Sequence, residues 1–186
     1  MKRCLDVILV LLALPLALIP ITVITICLVF TSGSQVLYWS NRVGRNNTIF
    51  KMPKFRTMKD ETPQVATHLL QNAQSFYTPI GSFLRKTSLD ELPQLYCILT
   101  GDMTWVGPRP ALFNQEDLIK LRTSHGVHVL VPGLTGWAQI NGRDELPVSR
   151  KVDFDKEYLQ RYSISFDLKI LALTLIRVIH RDGIAH

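Results

Sequence analysis

The chain has 186 residues, 47% of them hydrophobic, and a formal net charge of +6 at pH 7. This length fits one domain of ordinary size plus a membrane element, because single domains usually contain about 100–150 residues. The three cysteines are widely scattered and nothing completes a ligand set around the histidines, so the composition excludes a disulfide framework and a zinc site.

The first element is an apolar segment. Residues 7–30 carry no charge, and as a straight helix they would measure about 36 Å, enough to cross a hydrocarbon core of about 30 Å. Pro15 and Pro20 each remove a backbone donor, so we expect a break, at either proline. Basic residues lie on both sides of the segment, which places both ends on the cytoplasmic face. We therefore predict a re-entrant helix–break–helix over residues 1–33, with a straight span as the alternative.

A basic stretch follows, with no acidic residue before Asp60: Arg42, Arg45, Lys51, Lys54, Arg56 and Lys59. Such residues beside a bilayer are each attracted to anionic headgroups by about 1 kcal/mol. Juxtamembrane anchoring explains most of them, and binding of a phosphate-rich substrate is the alternative. We expect no nucleic-acid partner, because the stretch adjoins the membrane segment and no nucleic-acid-binding motif is present.

Two adjacent carboxylates, Asp90 and Glu91, precede apolar residues at helical spacing. We predict an amphipathic helix that begins close to Ser88, capped by Ser88 in a capping box or by Asp90 itself. A helix N-terminus favours anions and would keep Asp90 ionised, as a nucleophile or metal ligand requires. The alternative is that the pair only starts a helix.

An arginine stands between two prolines after the glycine stop at Gly101. Pro108 and Pro110 hold the backbone of Arg109 extended, so its guanidinium is presented from a stiff loop. This arrangement suits bidentate binding of a phosphate, whereas a surface arginine in a proline-rich loop is the alternative.

Residues 132–143 combine turn glycines, a tryptophan, two amides and an arginine. Asn141-Gly142 is a hairpin-type turn signal, so one interpretation is a structural β-hairpin packed by its tryptophan. The other is a nucleotide pocket, with Gln139 and Asn141 for a nucleobase edge and Arg143 for a phosphate.

The tail over residues 166–179 is apolar but contains Lys169 and Arg177. It is too short and too charged to span a membrane, so we predict an interfacial amphipathic helix, with a core helix as the alternative. The fold class predicted for the whole chain is α+β and mostly helical, with a small β-hairpin, and residues 34–186 form the catalytic domain.

Several ordered motifs together resemble the bacterial sugar transferases, the small monotopic polyprenyl-phosphate phosphoglycosyl transferases. The resemblance runs from Lys2 to about Gly183. Its motifs are Lys2-Arg3-x-x-Asp6 before the proline-broken segment, Lys54-Phe55-Arg56-Thr57-Met58, Ser88-Leu89-Asp90-Glu91-Leu92-Pro93-Gln94-Leu95, Gly101-Asp102-Met103, Val106-Gly107-Pro108-Arg109-Pro110, and residues 132–143.

The resemblance implies transfer of a sugar-1-phosphate from a UDP-sugar to undecaprenyl phosphate, with release of UMP. In that family pattern Asp90 attacks the sugar-linked phosphate and binds Mg²⁺, while Glu91 orients or deprotonates. Substrate phosphates would meet Arg109, with Lys54, Arg56 and Arg143 as further candidates. The implied location is the bacterial inner (cytoplasmic) membrane, with the catalytic domain on the cytoplasmic face in contact with membrane lipids.

Two alternatives to this interpretation stay open. A function as a non-catalytic membrane scaffold of a glycan assembly complex also explains the apolar and basic segments, but it does not explain Asp90 and Glu91. Within the enzyme class, the lipid phosphate could attack directly, without a covalent intermediate. The sequence identifies neither the sugar nor the glycan, and leaves open whether the chain forms a homo-oligomer.

Overall fold

The computed structural model describes residues 1–33, 35–59, 62, 73–142 and 146–180, without the side chains of residues 73, 179 and 180. The α-helices are α1 Lys2–Ser32, α2 Gly81–Lys86, α3 Leu95–Thr100, α4 Glu116–Ser124, α5 Trp137–Ile140, α6 Val148–Gln160 and α7 Ile164–His180. The strands are β1 Leu37–Val43, β2 Ile49–Phe55, β3 Thr104–Val106 and β4 Gly133–Thr135. The mostly helical α+β class predicted from the sequence is confirmed.

Helix α1 packs one stripe of side chains against the rest of the domain. The buried residues recur at steps of four and seven, as one helix face requires: Asp6, Val10, Ala17, Ile24 and Leu28. Its first half joins a core cluster with β2 and α3, and its second half joins a cluster with Phe55 and Leu84. The other side exposes large apolar side chains: Ile8, Leu11, Leu12, Leu16, Leu18, Ile19, Val23, Ile26, Val29 and Phe30.

The helix continues through both prolines. Residues Lys2–Ser32 form one α-helix with Pro15 and Pro20 inside it, so the two separate helices predicted from the sequence are not found. A proline removes one backbone hydrogen bond and clashes with the preceding turn, and a helix can bend there and continue. By length and composition α1 could cross a membrane. Its path through a bilayer stays a prediction.

Polar contacts fix the beginning of α1 to the domain. The Lys2 ammonium donates hydrogen bonds to the Val106 carbonyl at 2.7 Å, and to the Tyr158 hydroxyl and the Asp167 carboxylate, both at 2.8 Å. The buried Asp6 carboxylate accepts hydrogen bonds from the Thr104 hydroxyl and the Trp105 amide. The first turns of α1 are therefore part of the folded domain.

A β-hairpin follows α1. Strands β1 and β2 pair antiparallel, with Leu37 opposite Phe55 and Val43 opposite Ile49. Asn46 and Asn47 adopt positive φ angles of 54° and 61° in the connecting turn, a conformation that asparagine tolerates better than most residues. This hairpin supplies the small β-element that was predicted, but at a different place in the chain.

Residues 132–142, the described part of the segment 132–143, do not form the hairpin that was one interpretation of it. Strand β4 pairs parallel with β3, with Thr104 opposite Gly133 and Val106 opposite Thr135. The chain then enters the one-turn helix α5, and Asn141 follows that helix instead of turning between strands. Close approach explains the glycines, because a Cβ on Gly133 would lie 2.1 Å from the Gly107 nitrogen.

Helices α6 and α7 contribute to a further core cluster of the domain. Tyr158 of α6 and Phe166 and Ile170 of α7 form a buried cluster with Val106 and Ile140. The outer side of α7 exposes apolar residues that include Leu168, Leu175, Ile176 and Val178. The tail is thus a core helix on one face and an exposed apolar helix on the other.

Candidate active site

The two carboxylates lie on a short 3₁₀ turn instead of an α-helix. Leu89–Gln94 form this turn, and α3 begins only at Leu95. Ser88 precedes it in the left-handed conformation, with φ 56°, and makes no side-chain capping hydrogen bond. The capping box predicted with Glu91 is therefore absent, and Asp90 lies inside the turn instead of capping it. The glycine stop is confirmed, because Gly101 ends α3 with φ 95°.

Glu91 is held by two cations. Its Oε1 accepts a hydrogen bond from Lys54 Nζ at 2.9 Å and another from Arg109 Nη2 at 2.8 Å. The same Lys54 Nζ lies 3.8 Å from Asp90 Oδ2. The structure therefore brings together four of the predicted site residues, from β2, the 3₁₀ turn and the loop after β3.

The pKa values of the two carboxyls shift in opposite directions. Burial raises the pKa of Asp90 and the negative charge of Glu91 adds to the effect, while the opposing charge of Lys54 is too weak to reverse it. Burial also disfavours ionised Glu91, but the charges and hydrogen bonds of Arg109 and Lys54 outweigh it and hold its pKa well below the usual range. The shift of Asp90 is opposite to the one expected from a helix N-terminus.

The loop that carries Arg109 is fixed at each successive carbonyl. The Pro108 carbonyl accepts a hydrogen bond from the Gly133 amide at 2.9 Å, and the Arg109 carbonyl accepts one from Arg122 Nη1 at 2.8 Å. The Pro110 carbonyl accepts a hydrogen bond from the Arg42 guanidinium, and the Ala111 carbonyl accepts one from the Val43 amide. The prolines predicted to stiffen this loop are therefore assisted by four hydrogen bonds from outside it.

Three further predicted site residues make described side-chain hydrogen bonds to groups other than the two carboxylates. The described side-chain hydrogen bond of Arg56 goes to Gln35. Gln139 donates to the Leu134 carbonyl at 2.9 Å, and Asn141 donates to the Trp137 carbonyl at 2.8 Å, so both amides tie their own segment together. Arg143 lies outside the described residues.

Arg85 was not among the predicted site residues. Its positive charge is one of the influences that lower the pKa of Asp90, after that of Lys54. Its Nε donates to the Thr57 hydroxyl at 2.9 Å, and its guanidinium lies over the Tyr77 ring. Its position three residues before Ser88 in an Arg-Lys-Thr run was the signal that could have identified it.

A magnesium ion would meet one carboxylate here that makes no described hydrogen bond to a cation, Asp90, whose Oδ2 lies 3.8 Å from Lys54 Nζ. The described residues contain no group of three or more histidine, cysteine, aspartate or glutamate side chains placed to hold a metal. Glu91 is already bound by Lys54 and Arg109, which leaves Asp90. This donor set fits Mg²⁺, which commonly binds one or two protein carboxylates together with substrate phosphates and water.

The arrangement can stabilise an anionic phosphate group. Arg109 has a side chain that is 36% exposed, so its guanidinium reaches solvent while one nitrogen is bound to Glu91. Cations next to a buried carboxylate can bind a phosphate and offset its negative charge. The carboxylate oxygen can then lie close to the phosphorus atom.

The chain was also compared with known proteins. The sequence model of the family described as "Bacterial sugar transferase" matches residues 1–181. The UDP-glucose:undecaprenyl-phosphate glucose-1-phosphate transferase of Escherichia coli (strain K12) is 40% identical over 185 residues, which cover 95% of this chain and 40% of that protein.

Two shorter relatives are similar over most of their own length. The exopolysaccharide production protein ExoY of Sinorhizobium fredii is 38% identical over 94% of this chain and 83% of that protein. The uncharacterized sugar transferase EpsL of Bacillus subtilis is 40% identical over 82% of this chain and 74% of that protein. The chain therefore spans less than half of the E. coli relative but most of the other two.

Proposed function

Because the chain belongs to the bacterial sugar transferase family, we propose that it transfers a sugar-1-phosphate from a UDP-sugar to undecaprenyl phosphate and releases UMP. Relatives from E. coli and Xanthomonas campestris are named for such a transfer of glucose-1-phosphate. The observation that carries the proposal is a buried carboxylate, Asp90, beside a second carboxylate that orients two cations.

The first chemical step is attack by an Asp90 carboxylate oxygen on the phosphorus attached to the sugar. A P–O bond forms to Asp90 while the P–O bond to UMP breaks, and UMP leaves with the electron pair. In the second step an oxygen of undecaprenyl phosphate attacks the same phosphorus and releases the Asp90 carboxylate. Two successive displacements require only one substrate to be positioned at a time, whereas direct transfer requires both substrates to be positioned together.

Glu91 serves as an orienting anion in this scheme. Its pKa is held well below the usual range by Arg109 and Lys54, in spite of its burial, so it stays ionised and is a weak proton acceptor near neutral pH. Its contacts place both cations where the diphosphate of the donor would lie. This supports an orienting role for Glu91 over deprotonation, the other role that the resemblance implies.

Mg²⁺ is the proposed cofactor, held by Asp90 and the donor diphosphate. When bound, it would supply positive charge that makes UMP a better leaving group. Lys54 and Arg109 supply the same kind of stabilisation from the protein side. The Asp90 carboxylate would hold the ion together with the donor phosphates.

The path of α1 supports a re-entrant membrane segment. Near one end Lys2 bonds to Val106 and Asp167, and near the other end Leu28 packs in a cluster with Phe55 and Leu84. Both ends of α1 are thus attached to the same domain, and the exposed apolar side faces away from it. We place α1 within one leaflet, bent at a proline, with the domain on the cytoplasmic face of the inner membrane and α7 at the interface.

The donor experiment tests the overall reaction. Purified protein is incubated with Mg²⁺, undecaprenyl phosphate and each of a panel of UDP-sugars, and released UMP is measured beside an Asp90→Asn variant. We expect UMP from one donor and none from the variant. Release of UDP, or an unchanged rate in the variant, would contradict the proposal.

An exchange experiment tests the covalent intermediate. Labelled UMP is incubated with unlabelled UDP-sugar and enzyme in the absence of undecaprenyl phosphate. A phosphosugar–Asp90 intermediate predicts label in the UDP-sugar, because the first displacement is reversible without the acceptor. Direct attack by the lipid phosphate predicts no exchange until the lipid is added.

Thiol labelling tests the membrane path. Cys4 lies near one end of α1, and Gln35→Cys introduces a cysteine near the other end. Two variants are made, both without Cys27, and each keeps one exposed cysteine, at position 4 or at position 35. A membrane-impermeant maleimide should label both positions in inverted vesicles and neither in spheroplasts. Labelling from opposite sides would indicate a straight span.

A further inference from the structure

We propose that the buried Arg122–Asp155 ion pair positions Arg109 for the donor diphosphate, an inference that rests on the proposed function. Neither residue belongs to the carboxylate site or to the sequence motifs described above. Arg122 lies in the last turn of α4, and Asp155 lies on the buried face of α6. Both act through Arg109 and are positioning residues.

The guanidinium of Arg122 uses its three nitrogens in two directions. Nε and Nη2 donate to Asp155 Oδ2 at 2.9 and 2.7 Å, while Nη1 donates to the Arg109 carbonyl at 2.8 Å. A guanidinium is planar and its donors form a rigid fork. Once two nitrogens are fixed on Asp155, the direction of the third is fixed as well.

Burial makes this pair an effective anchor. Asp155 is 1% exposed, and the side chain of Arg122 is 12% exposed. An ionic hydrogen bond in such surroundings is little weakened by water or salt. The position of α6 is therefore transmitted to the backbone of Arg109 through one rigid group.

The backbone of Arg109 is where such an anchor has the greatest effect. Its side chain reaches Glu91 Oε1 at 2.8 Å, and the flanking Pro108 and Pro110 leave their neighbours few backbone conformations. A small displacement of the Arg109 carbonyl therefore moves the guanidinium relative to Asp90. Errors of about 1 Å in such positions can reduce rates by about 100-fold.

Matched variants separate positioning from general destabilisation. Asp155→Asn removes the charge that fixes Arg122, and Arg122→Lys keeps a positive charge but loses the rigid fork. Phe166→Leu is the control, because Phe166 of α7 is buried against Trp137 of α5 and Tyr158 of α6 and makes no described hydrogen bond to residues 108–111. Circular dichroism identifies variants that fold.

The decisive measurement is a double-mutant cycle on kcat/KM for the UDP-sugar. We expect Asp155→Asn to reduce it about 10-fold in the wild-type background and less than about 2-fold in an Arg109→Gln background. Arg122→Lys should behave like Asp155→Asn, and Phe166→Leu should leave the value within about 2-fold. Equal losses in both backgrounds would show that Asp155 does not act through Arg109 and would overturn the proposal.

Hydrogen exchange gives a result that needs no activity. Amide exchange at Arg109, Ala111 and Leu112 should accelerate in Asp155→Asn and much less in Phe166→Leu, because the cluster of Phe166 includes Val106 but none of these three residues. Unchanged exchange in Asp155→Asn would overturn the positioning role even if the enzyme transfers sugar phosphate. If the wild-type protein releases no UMP, the proposed function fails, and the exchange result alone decides whether the ion pair holds the Arg109 loop.

Discussion

Replacing Lys54 with methionine should move the acid limb of the pH–rate profile to higher pH. Asp90 attacks only as a carboxylate, and Lys54 is the strongest of the neighbouring charges that lower its pKa. Without that charge the pKa of Asp90 rises further, so a higher pH is needed to ionise it. Activity should therefore be lost at a higher pH than in the wild-type protein.

The size of the shift follows from the distance between the charges. Lys54 Nζ lies 3.8 Å from Asp90 Oδ2, with side chains 17% and 9% exposed. Two unit charges at this distance interact by about 4 kcal/mol at an effective dielectric constant of 20. Relaxation of the site reduces this value, and 1.36 kcal/mol corresponds to one pH unit, so we expect a displacement of about one pH unit or more.

The assay follows kcat/KM for UMP release across acidic and neutral pH. Lys54→Arg keeps the charge and should retain the wild-type profile, and Lys51→Met removes an exposed lysine from the same strand as the matched control. An acid limb that stays in place in Lys54→Met, or moves to lower pH, would refute the assignment of Asp90 as the group whose ionisation limits the rate.

Three other predictions concern neighbouring features. Glu91→Gln removes a charge that raises the pKa of Asp90, so the acid limb should move to lower pH while the plateau rate falls about 10-fold; an upward movement would contradict this. Lys2→Met leaves the buried Asp167 without its cation and should lower stability by about 3 kcal/mol, or roughly 6–12 °C in detergent, whereas the exposed Lys169→Met should have no such effect. Burial raises the pKa of the Cys97 thiol to about 11, so a maleimide should spare it at neutral pH in the folded protein, and rapid labelling would disprove its burial.

The sequence predicts the parts of this structure that depend on local pattern. The apolar run of residues 7–30 predicted the helical segment found as α1, and the apolar tail predicted the helix found as α7. The Arg109 loop and its neighbour Glu91 were each identified from their own flanking residues. Such features depend on side-chain periodicity, proline geometry and charge, which are visible within a few positions.

Other features depend on contacts that the sequence does not display. One interpretation placed a hairpin turn at Asn141-Gly142, but Asn141 follows helix α5. The strand in this segment, β4, pairs parallel with β3, where Gly133 allows a close backbone approach that no local rule predicts. The pKa of Asp90 rises because of burial, a tertiary property. The bond from Arg122 to Asp155 joins residues 33 positions apart on two helices, and nothing in their flanking residues indicates it.

The inner stripe of α1 also determines how the protein unfolds. Val10, Ala17, Ile24 and Leu28 contribute to two core clusters that include residues of β2, α2 and α3. Removing the first 33 residues would expose these clusters to water, at a cost of about 25 cal/mol for each Å² of apolar surface. The apolar helix and the domain that carries the carboxylate site thus share their core, and we expect a version of the chain without residues 1–33 to lose its fold.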